Sequence, residues 1–362
     1  MTVPTSSHFA PRREALAARL REFKADAFLT LALPNVHYLS GFTGSNAALL
    51  LTPYRSLLFT DPRYQTQAPG ESDCEVKIAK GPLLNEVASW IKRLHLKSLA
   101  FEQNRISFDD YGHLHAGTPA LRLKPVSGAI ERLRMVKSEA EIGAIRTSVQ
   151  LNSAALEQAL RQFKPNMSEL DLAAEIDYRM RLLGADGTAF DTIVASGPRT
   201  ALPHAHPEAH SIAGNQLLLV DMGARVAGYC SDMTRTHAVG KLTPKIRQMY
   251  RAVLESQLAA IEAVKPGATT AAVDRAARRV LRGYGLDKLF IHSTGHGLGL
   301  EIHEAPRVGR KDGTKLEPGM AITIEPGVYQ EGIGGIRIED TVVVTGSGCE
   351  ILTPTGKELV VL

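Results

Sequence analysis

The feature that most constrains the fold of this 362-residue chain is an internal repeat in its second half. Two segments share a Lys-Pro pair, a hydroxyl residue suited to cap a helix, and a closing glycine; they read FKPNMSELDLAAEIDYRMRLLG and VKPGATTAAVDRAARRVLRGYG. The matched pairs are Lys164 with Lys265, Ser168 with Thr269, and Gly184 with Gly285. The repeat predicts a pseudo-symmetric domain built from two similar halves.

Each copy of the repeat continues into an apolar strand that ends in a carboxylate. Asp221 follows LLLV in the first copy, and Glu325 follows AITI in the second. A glycine-rich turn comes next, and a return strand then carries a second carboxylate, Asp232 or Glu339. These spacings suit hairpins that place the second carboxylate beside the first. We therefore expect a site where the two halves meet.

Four carboxylates on strands that read as buried need a compensating positive charge. An ionised carboxylate is costly to bury unless it is paired, and carboxylates about 4–6 Å apart repel by several kcal/mol per pair. Two divalent cations would cancel the formal charge of the four carboxylates. Alternatively, each acid caps a turn or pairs with an arginine such as Arg235 or Arg337. That alternative can explain any one of the acids but explains all four together poorly.

Histidines are concentrated in the same part of the chain. The segment IHSTGHGLGLEIHE holds His292, His296 and His303 among glycines, without the strand and helix context of a dinucleotide-binding loop. One imidazole joining four carboxylates makes an oxygen-rich site. Such a site favours Mn²⁺ or Co²⁺ over a thiolate zinc site, with Zn²⁺ still compatible.

Composition limits the class of protein. A hydrophobic fraction of 44% and a charged fraction of 22% are typical of a folded globular chain and exclude a disordered one. The net charge of +4 comes without a run of basic residues, so no nucleic-acid partner is expected. Three separated cysteines favour a reducing compartment. The N-terminal sequence lacks the apolar stretch of a signal peptide, and no window is long enough for a membrane span, so we expect a cytoplasmic protein.

The first part of the chain has a different pattern. A helical stretch around Arg12 to Phe23 precedes short apolar runs bounded by Pro, Gly and Asn, which read AFLTLA, NAALLLT and SLLFT and predict strands. Further on, Ser138 and Glu141 form a capping-box pattern that predicts a long helix toward Phe163. We place the domain boundary near Glu131, which gives an α/β domain at 1–130 and a second domain at 131–362.

The series of motifs in the second domain resembles one family. In order they read FDTIVASGPRTALPHAHP, VDMG, GYCSDMTRT, HSTGHGLGLEIHE, LEPGMAITIEPGVY and GGIRIED. Together with YLSGFTGSNAALLL and LLFTDPRYQTQA, they resemble the proline-specific metallopeptidases of the aminopeptidase P and prolidase family. The resemblance implies a creatinase-like α/β N-terminal domain. It also implies an α+β catalytic domain of the pita-bread (creatinase/aminopeptidase-like) fold with pseudo-twofold halves.

The resemblance also implies roles for individual residues. It implies five ligands for two divalent metal ions: Asp221, Asp232, His296, Glu325 and Glu339. Of these, Asp232 and Glu339 would bridge the two metals. Hydrolysis would use a hydroxide held between the metals, with Glu325 moving its proton. The remaining expected site residues are His204 and His303 as hydrogen-bond donors to the intermediate, His292 and His204 as substrate contacts, and Arg337 as the residue that orients Asp221 or Glu339.

Two specificities compete within this family. The first is an aminopeptidase that removes the residue before a second-position proline, and the alternative is a dipeptidase (prolidase) that cleaves only Xaa-Pro. Prolidases hold the free carboxylate with an arginine; the candidates here are Arg307, Arg310 and Lys311, and by spacing the position falls at Lys311. Because lysine lacks a bidentate grip, the spacing favours the aminopeptidase, as does the resemblance of the TGS and DPRY segments to aminopeptidase P. Its partners would be short peptides with proline second and a second copy of the chain in a homodimer.

Three other kinds of protein with this fold fit the sequence less well. Methionine aminopeptidase lacks this N-terminal domain, and creatinase has lost the metal ligands that the resemblance implies for this chain. Non-catalytic binding modules of the fold usually lack a full ligand set.

Overall fold

The computed structural model describes residues 9–164 and 166–362. The chain forms two compact units that separate between Arg134 and Met135. The predicted boundary is the first residue of the short helix Glu131–Met135, and the units separate at the end of that helix. Pro165, which belongs to the Lys-Pro match, and residues 1–8, which belong to the segment read for a signal peptide, lie outside the described part.

The first unit is built on a six-stranded mixed sheet, in the order β4-β3-β2-β1-β5-β6. Its strands are β1 (Ala27–Thr30), β2 (Ala47–Leu51), β3 (Ser56–Thr60), β4 (Glu75–Ile78), β5 (Ser98–Glu102) and β6 (Arg122–Val126). Its helices are α1 (Ala10–Ala18), α2 (Leu20–Phe23), α3 (Leu33–Ser40), α4 (Gln67–Glu71), α5 (Leu83–Arg93), α6 (Phe108–Gly117) and α7 (Glu131–Met135). The three apolar runs predicted as strands form β1, β2 and β3, which confirms the α/β class.

One buried carboxyl group stands out in this sheet. Glu102 ends β5 and is 4% exposed, and its Oε1 accepts a hydrogen bond from Asn35 Nδ2. Burial, with a smaller contribution from Glu131, raises the pKa of Glu102 to about 7. The group therefore favours its protonated form in the folded chain.

This pKa shift gives the first unit a pH-dependent stability. The pKa is higher in the folded chain than its unfolded value of 4.5, so the stabilising contribution is complete below that pH and disappears as pH rises through about 7. The shift corresponds to about 3 kcal/mol. We expect Glu102→Gln to stabilise the first unit at pH 8 but not at pH 4, measured by urea unfolding at both values. An equal effect at the two pH values, or the same effect from the exposed control Glu14→Gln, would contradict this explanation.

The second unit contains four longer helices and several small sheets. Its helices are α8 (Glu139–Arg161), α9 (Glu169–Leu182), α10 (Pro244–Glu262) and α11 (Thr270–Gly283). Its strands are β7 (Gly187–Thr188), β8 (Ile193–Ser196), β9 (Gln216–Met222), β10 (Ala224–Val226), β11 (Tyr229–Cys230), β12 (Met233–Val239), β13 (Gly295–Gly297), β14 (Glu304–Val308), β15 (Ala321–Ile324), β16 (Gly327–Gln330), β17 (Gly334–Arg337), β18 (Asp340–Val344) and β19 (Cys349–Ile351). The sheets run β12-β9-β8, β11-β10-β7, β14-β13-β15-β18-β19 and β16-β17.

The predicted repeat is visible in this unit. Helices α9 and α11 each have 14 residues, and their N-caps are the matched hydroxyl residues Ser168 and Thr269. The matched glycines Gly184 and Gly285 both adopt positive φ after these helices, at 101° and 71°. Each helix pair, α8 with α9 and α10 with α11, belongs to one half. The predicted pseudo-twofold α+β architecture is therefore confirmed.

The two halves meet along β12 and the segment from β17 to β18. The backbone N–H of Glu339 donates to the carbonyl of Thr234 at 3.1 Å, and the N–H of Arg337 donates to Thr236 Oγ1 at 3.2 Å. The predicted long helix is also present: α8 begins with the full capping box of Ser138 and Glu141. Across the described residues, none of the helices has the length and apolar character that crossing a membrane requires.

Candidate metal centre and active site

Strand pairing brings the predicted carboxylates together. Strands β9 and β12 are antiparallel, with Asp221 opposite Thr234, so Asp232 at the start of β12 lies near Asp221. Strands β15 and β18 pair in the same way, with Ile324 opposite Asp340, and Glu325 and Glu339 leave the same end of that pair. Both hairpins therefore have the geometry that the spacing predicted.

The side chains converge on one cavity of about 570 Å³. Ligand atoms of Asp232, His296 and Glu339 lie within 4.8 Å of one another. The Nε2 atom of His296 is 3.5 Å from Asp232 Oδ2 and 3.5 Å from Glu325 Oε1. The cavity wall contains every site residue expected from the sequence: His204, Asp221, Asp232, His292, His296, His303, Glu325, Arg337 and Glu339.

The electrostatics of this cluster are unfavourable for the protein atoms alone. Burial raises the pKa of Asp232 to about 6 and that of Glu325 to about 7. Burial, followed by the carboxylates of Asp232 and Glu325, raises the pKa of Glu339 well above its usual value. Although burial lowers it, hydrogen bonding to Asp232 raises the pKa of His296 to about 9. The ionised form of these carboxylates is therefore unfavourable unless a positive charge compensates it.

The donor set fits divalent metal ions. Asp221 Oδ1 and Glu339 Oε1 are buried without a hydrogen-bond partner among the described atoms, and an unpaired buried carboxylate oxygen is costly. His296 Nδ1 lies 3.0 Å from the carbonyl of Gly297, which can only accept, so Nδ1 carries a proton and Nε2, which faces the carboxylates, is the nitrogen that can bind a metal once it loses its own proton. Oxygen-rich sites with one imidazole suit Mn²⁺, Co²⁺ or Zn²⁺.

A buried hydrogen-bond network holds two of these carboxylates. Arg337 Nη2 donates to Asp221 Oδ2 at 2.6 Å, and Arg337 Nε donates to Thr234 Oγ1 at 3.0 Å. Thr234 Oγ1 in turn donates to Glu339 Oε2 at 2.7 Å. Thr234 was missed in the sequence, although it lies two residues after Asp232 and thus on the same face of its strand.

Tyr329 is a second residue that the sequence analysis did not identify, because its neighbours are not evident from the sequence. Its hydroxyl accepts a 2.7 Å hydrogen bond from Arg337 Nη1 and lies 2.9 Å from His292 Nε2. His292 Nδ1 faces the carbonyl of Ser293 at 2.8 Å, so Nε2 accepts the proton of Tyr329. Burial lowers the pKa of His292 to about 4, which keeps this ring neutral.

The other two histidines lie at the open side of the cavity. The ring of His303 packs edge-on against His296 with centroids 4.4 Å apart, and burial lowers its pKa. His204 is exposed on the loop after the 3₁₀ turn Gly197–Ala201. Both can turn an N–H toward a substrate in the cavity.

The basic residues after His303 separate into two places. Arg307 on β14 pairs with His296 on β13 and lines the same cavity as the carboxylates. Arg310 and Lys311 line a neighbouring cavity instead. The position expected to hold a substrate carboxylate, Lys311, is therefore outside the carboxylate-lined cavity, because β14 ends at Val308 and the chain turns away.

Comparisons with known proteins show which family this chain resembles. Residues 143–346 match the description "Metallopeptidase family M24", and residues 12–136 match "Creatinase/Prolidase N-terminal domain". An Xaa-Pro dipeptidase of Pyrococcus horikoshii is 38% identical over 337 residues, which cover 92% of this chain and 94% of that protein.

Two solved structures are similar over almost the whole chain. An Xaa-Pro dipeptidase from Bacillus anthracis has a TM-score of 0.95 at 38% identity and covers 97% of this chain and 99% of its own. An X-Pro aminopeptidase from Thermotoga maritima has a TM-score of 0.90 at 35% identity and covers 95% and 100%. The chain therefore belongs to this metallopeptidase family, with a creatinase/prolidase N-terminal domain.

Proposed function

We propose that the chain is an Xaa-Pro dipeptidase that works with two divalent cations. The position of Arg307 in the carboxylate-lined cavity carries this proposal, because a dipeptide needs a cation for its free carboxylate close to the scissile bond. The relatives named as Xaa-Pro dipeptidases support it over the aminopeptidase that the spacing of Lys311 favoured. The aminopeptidase is the second candidate, supported by the structure from Thermotoga maritima.

We propose that the metal ligands are the five residues that converge on the cavity, Asp221, Asp232, His296, Glu325 and Glu339. Bound divalent cations would supply a polarised scissile carbonyl and a water activated at neutral pH. Mn²⁺ is the ion we propose, because four carboxylates and one imidazole make a mainly oxygen site.

The chain's own residues would position the substrate and move its protons. Glu325, whose Oε1 lies 3.5 Å from His296 Nε2 in the cavity wall, would accept and return a proton at its carboxylate. His204 and His303 would donate hydrogen bonds to the oxygen that gains charge. Neutral His292 would form a wall for the proline ring, and Arg337 would hold Asp221 in place. These contacts suit an Xaa-Pro bond, which has no N–H, because none of them requires an N–H at the scissile bond.

Arg307 is the group we propose for the substrate carboxylate. Its guanidinium can grip a carboxylate with two parallel hydrogen bonds, each assisted by charge. Because β14 pairs with β13, the side chain starts beside the ligand His296. The free carboxylate of a bound dipeptide, which is one residue beyond the scissile bond, would therefore lie close to the metal centre.

The test uses protein that is first chelated and then reloaded with Mn²⁺. We expect reloading to restore hydrolysis of Ala-Pro, and Arg307→Ala to raise KM for Ala-Pro by about 10- to 100-fold, the loss of a charge-assisted hydrogen bond. Arg310→Ala is the matched control, with little change for the dipeptide. Hydrolysis of Ala-Pro-Ala but not of Ala-Pro would establish the aminopeptidase instead. An unchanged KM in Arg307→Ala would remove Arg307 from the site.

Location and assembly stay predictions. The three cysteines are free, which suits a reducing cytoplasm. We propose a homodimer, which light scattering of the purified protein would test.

A further inference from the structure

A second cavity, of about 840 Å³, lies beside the carboxylate-lined cavity and shares part of its wall. His292, Ser293 and Arg307 line both cavities. A peptide that continued past a proline held near His292 would therefore pass Arg307 and enter this second space. A dipeptide would end before it.

The wall of the second cavity is strongly basic. Five basic side chains line it against two acidic ones. Arg278 is neutralised by Asp274 at 2.8 Å. Four of the basic residues have no carboxylate within ion-pair distance in the described ranges: Lys288, Arg307, Arg310 and Lys311.

The two acidic residues of this wall are already engaged. Asp312 accepts hydrogen bonds from the N–H of Thr314 and from Thr270 Oγ1. Asp287 lies 3.5 Å from Arg282. The hydrogen bonds to Asp312 leave its charge in place, so the four unpaired cations face one carboxylate without a cationic partner in the described part of the chain, and the net positive charge of the cavity is available to an anion from outside the chain.

We propose that this second cavity is an anionic subsite for the residue after proline, so that tripeptides with an acidic third residue bind best. The inference rests on the proposed function, since it assumes that Xaa-Pro is held in the neighbouring cavity. Arg310 and Lys311 would meet the third side chain, and Lys288 is the further cation in reach of the cavity. A glutamate side chain and a free C-terminal carboxylate would together bring two negative charges to this net positive wall.

The test compares two tripeptides of the same shape, Ala-Pro-Glu and Ala-Pro-Gln, as competitors of Ala-Pro hydrolysis by the Mn²⁺-loaded protein. We expect the inhibition constant of the glutamate peptide to be about 3- to 10-fold lower at low salt, as two exposed ion pairs would give. The ratio should shrink at about 0.5 M salt, because exposed pairs are screened.

Two charge-matched double variants separate the subsite from the overall charge of the chain. In Arg310→Gln with Lys311→Gln, the ratio of the two constants should fall close to one. In Lys241→Gln with Lys245→Gln, which removes two exposed cations elsewhere, the ratio should stay at the wild-type value. The ratio is internal to each variant, so a general loss of activity does not imitate the result.

Several outcomes would overturn the inference. A ratio of one in the wild-type protein, an unchanged ratio in the Arg310 and Lys311 variant, or no competition by either tripeptide would each do so. If Ala-Pro itself is not hydrolysed, the proposed function fails separately. Calorimetric titration of the same two peptides, judged by the same ratio, then decides the subsite.

Discussion

Asp232→Asn is expected to abolish turnover while making the metal-free protein more stable. Asp232 is buried among Asp221, Glu325 and Glu339, and burial raises its pKa to about 6. Removing this charge relieves repulsion in the empty cluster, so the free energy of unfolding of chelated protein should rise by about 1–3 kcal/mol. The same change removes a proposed anionic ligand that lies between the two halves of the site. Loss of activity and gain of stability should therefore occur in one variant.

The loss of activity in Asp232→Asn can be compared with the effect of a milder change in the same hydrogen-bond network. Thr234→Val removes the hydroxyl that donates to Glu339 but keeps all five proposed ligands. Losing such a supporting hydrogen bond typically costs about 10- to 100-fold in metal affinity or activity. Asp232→Asn should cost more, on the order of 10³-fold or beyond, and should reduce the bound Mn²⁺ per chain.

The measurements are turnover of Ala-Pro, metal content after dialysis, and urea unfolding with and without chelator. For Asp232→Asn we expect Mn²⁺ to add less stability than it adds to the wild-type protein. Normal turnover would remove Asp232 from the ligand set. A chelated variant less stable than chelated wild type would show that the interaction of Asp232 with His296 outweighs the repulsion among the carboxylates.

The fold could be predicted to a large extent because its signals are local or repeated. The capping residues Ser138, Ser168 and Thr269 fix where helices begin, and the matched glycines fix where two of them end. Two similar segments cannot bury their apolar faces alone, so the repeat indicated that they pack as halves of one domain. The strand-end carboxylates followed from the same logic, since hairpin spacing decides which residues face each other.

What the sequence did not predict depends on contacts between distant segments. Tyr329 lies between His292 and Arg337, and its hydrogen bonds depend on side-chain directions that periodicity does not encode. Arg307 was ranked below Lys311 because spacing along the chain does not show where β14 ends. The preference for an aminopeptidase followed in part from that ranking. The prediction of substrate specificity therefore depended on the loop after β14, whose course no local sequence pattern indicates.

Arg235→Met is expected to have the largest effect on stability among single substitutions of the second unit outside the metal centre. Arg235 is 2% exposed and its Nη2 pairs with Asp340 Oδ1 at 2.8 Å. It also donates to the carbonyl groups of Thr355 and Gly356 at 2.6 and 2.9 Å. Removing one partner of a buried ion pair costs about 3–5 kcal/mol, because the other charge loses its compensation.

Two comparisons separate the ion pair from simple packing. Lys357→Met removes the second cation of Asp340, but Lys357 is partly exposed and Arg235 stays, so the loss should be smaller. In Arg235→Met with Asp340→Leu, both buried charges are gone, and stability should recover part of the loss. Urea unfolding of these three variants and of Asp340→Leu alone measures these differences. A double variant as unstable as the sum of its single changes would contradict a coupled pair.

The same arginine ties the C-terminal segment to the metal centre. Arg235 Nη1 also donates to the backbone carbonyl of Glu339, so one guanidinium holds both a proposed ligand strand and residues 355–356. Arg235→Met should therefore increase hydrogen exchange at Glu339 and proteolysis near Gly356 together, before global unfolding. Faster cleavage near Gly356 with unchanged exchange at Glu339 would mean that the C-terminal segment is held independently of the site.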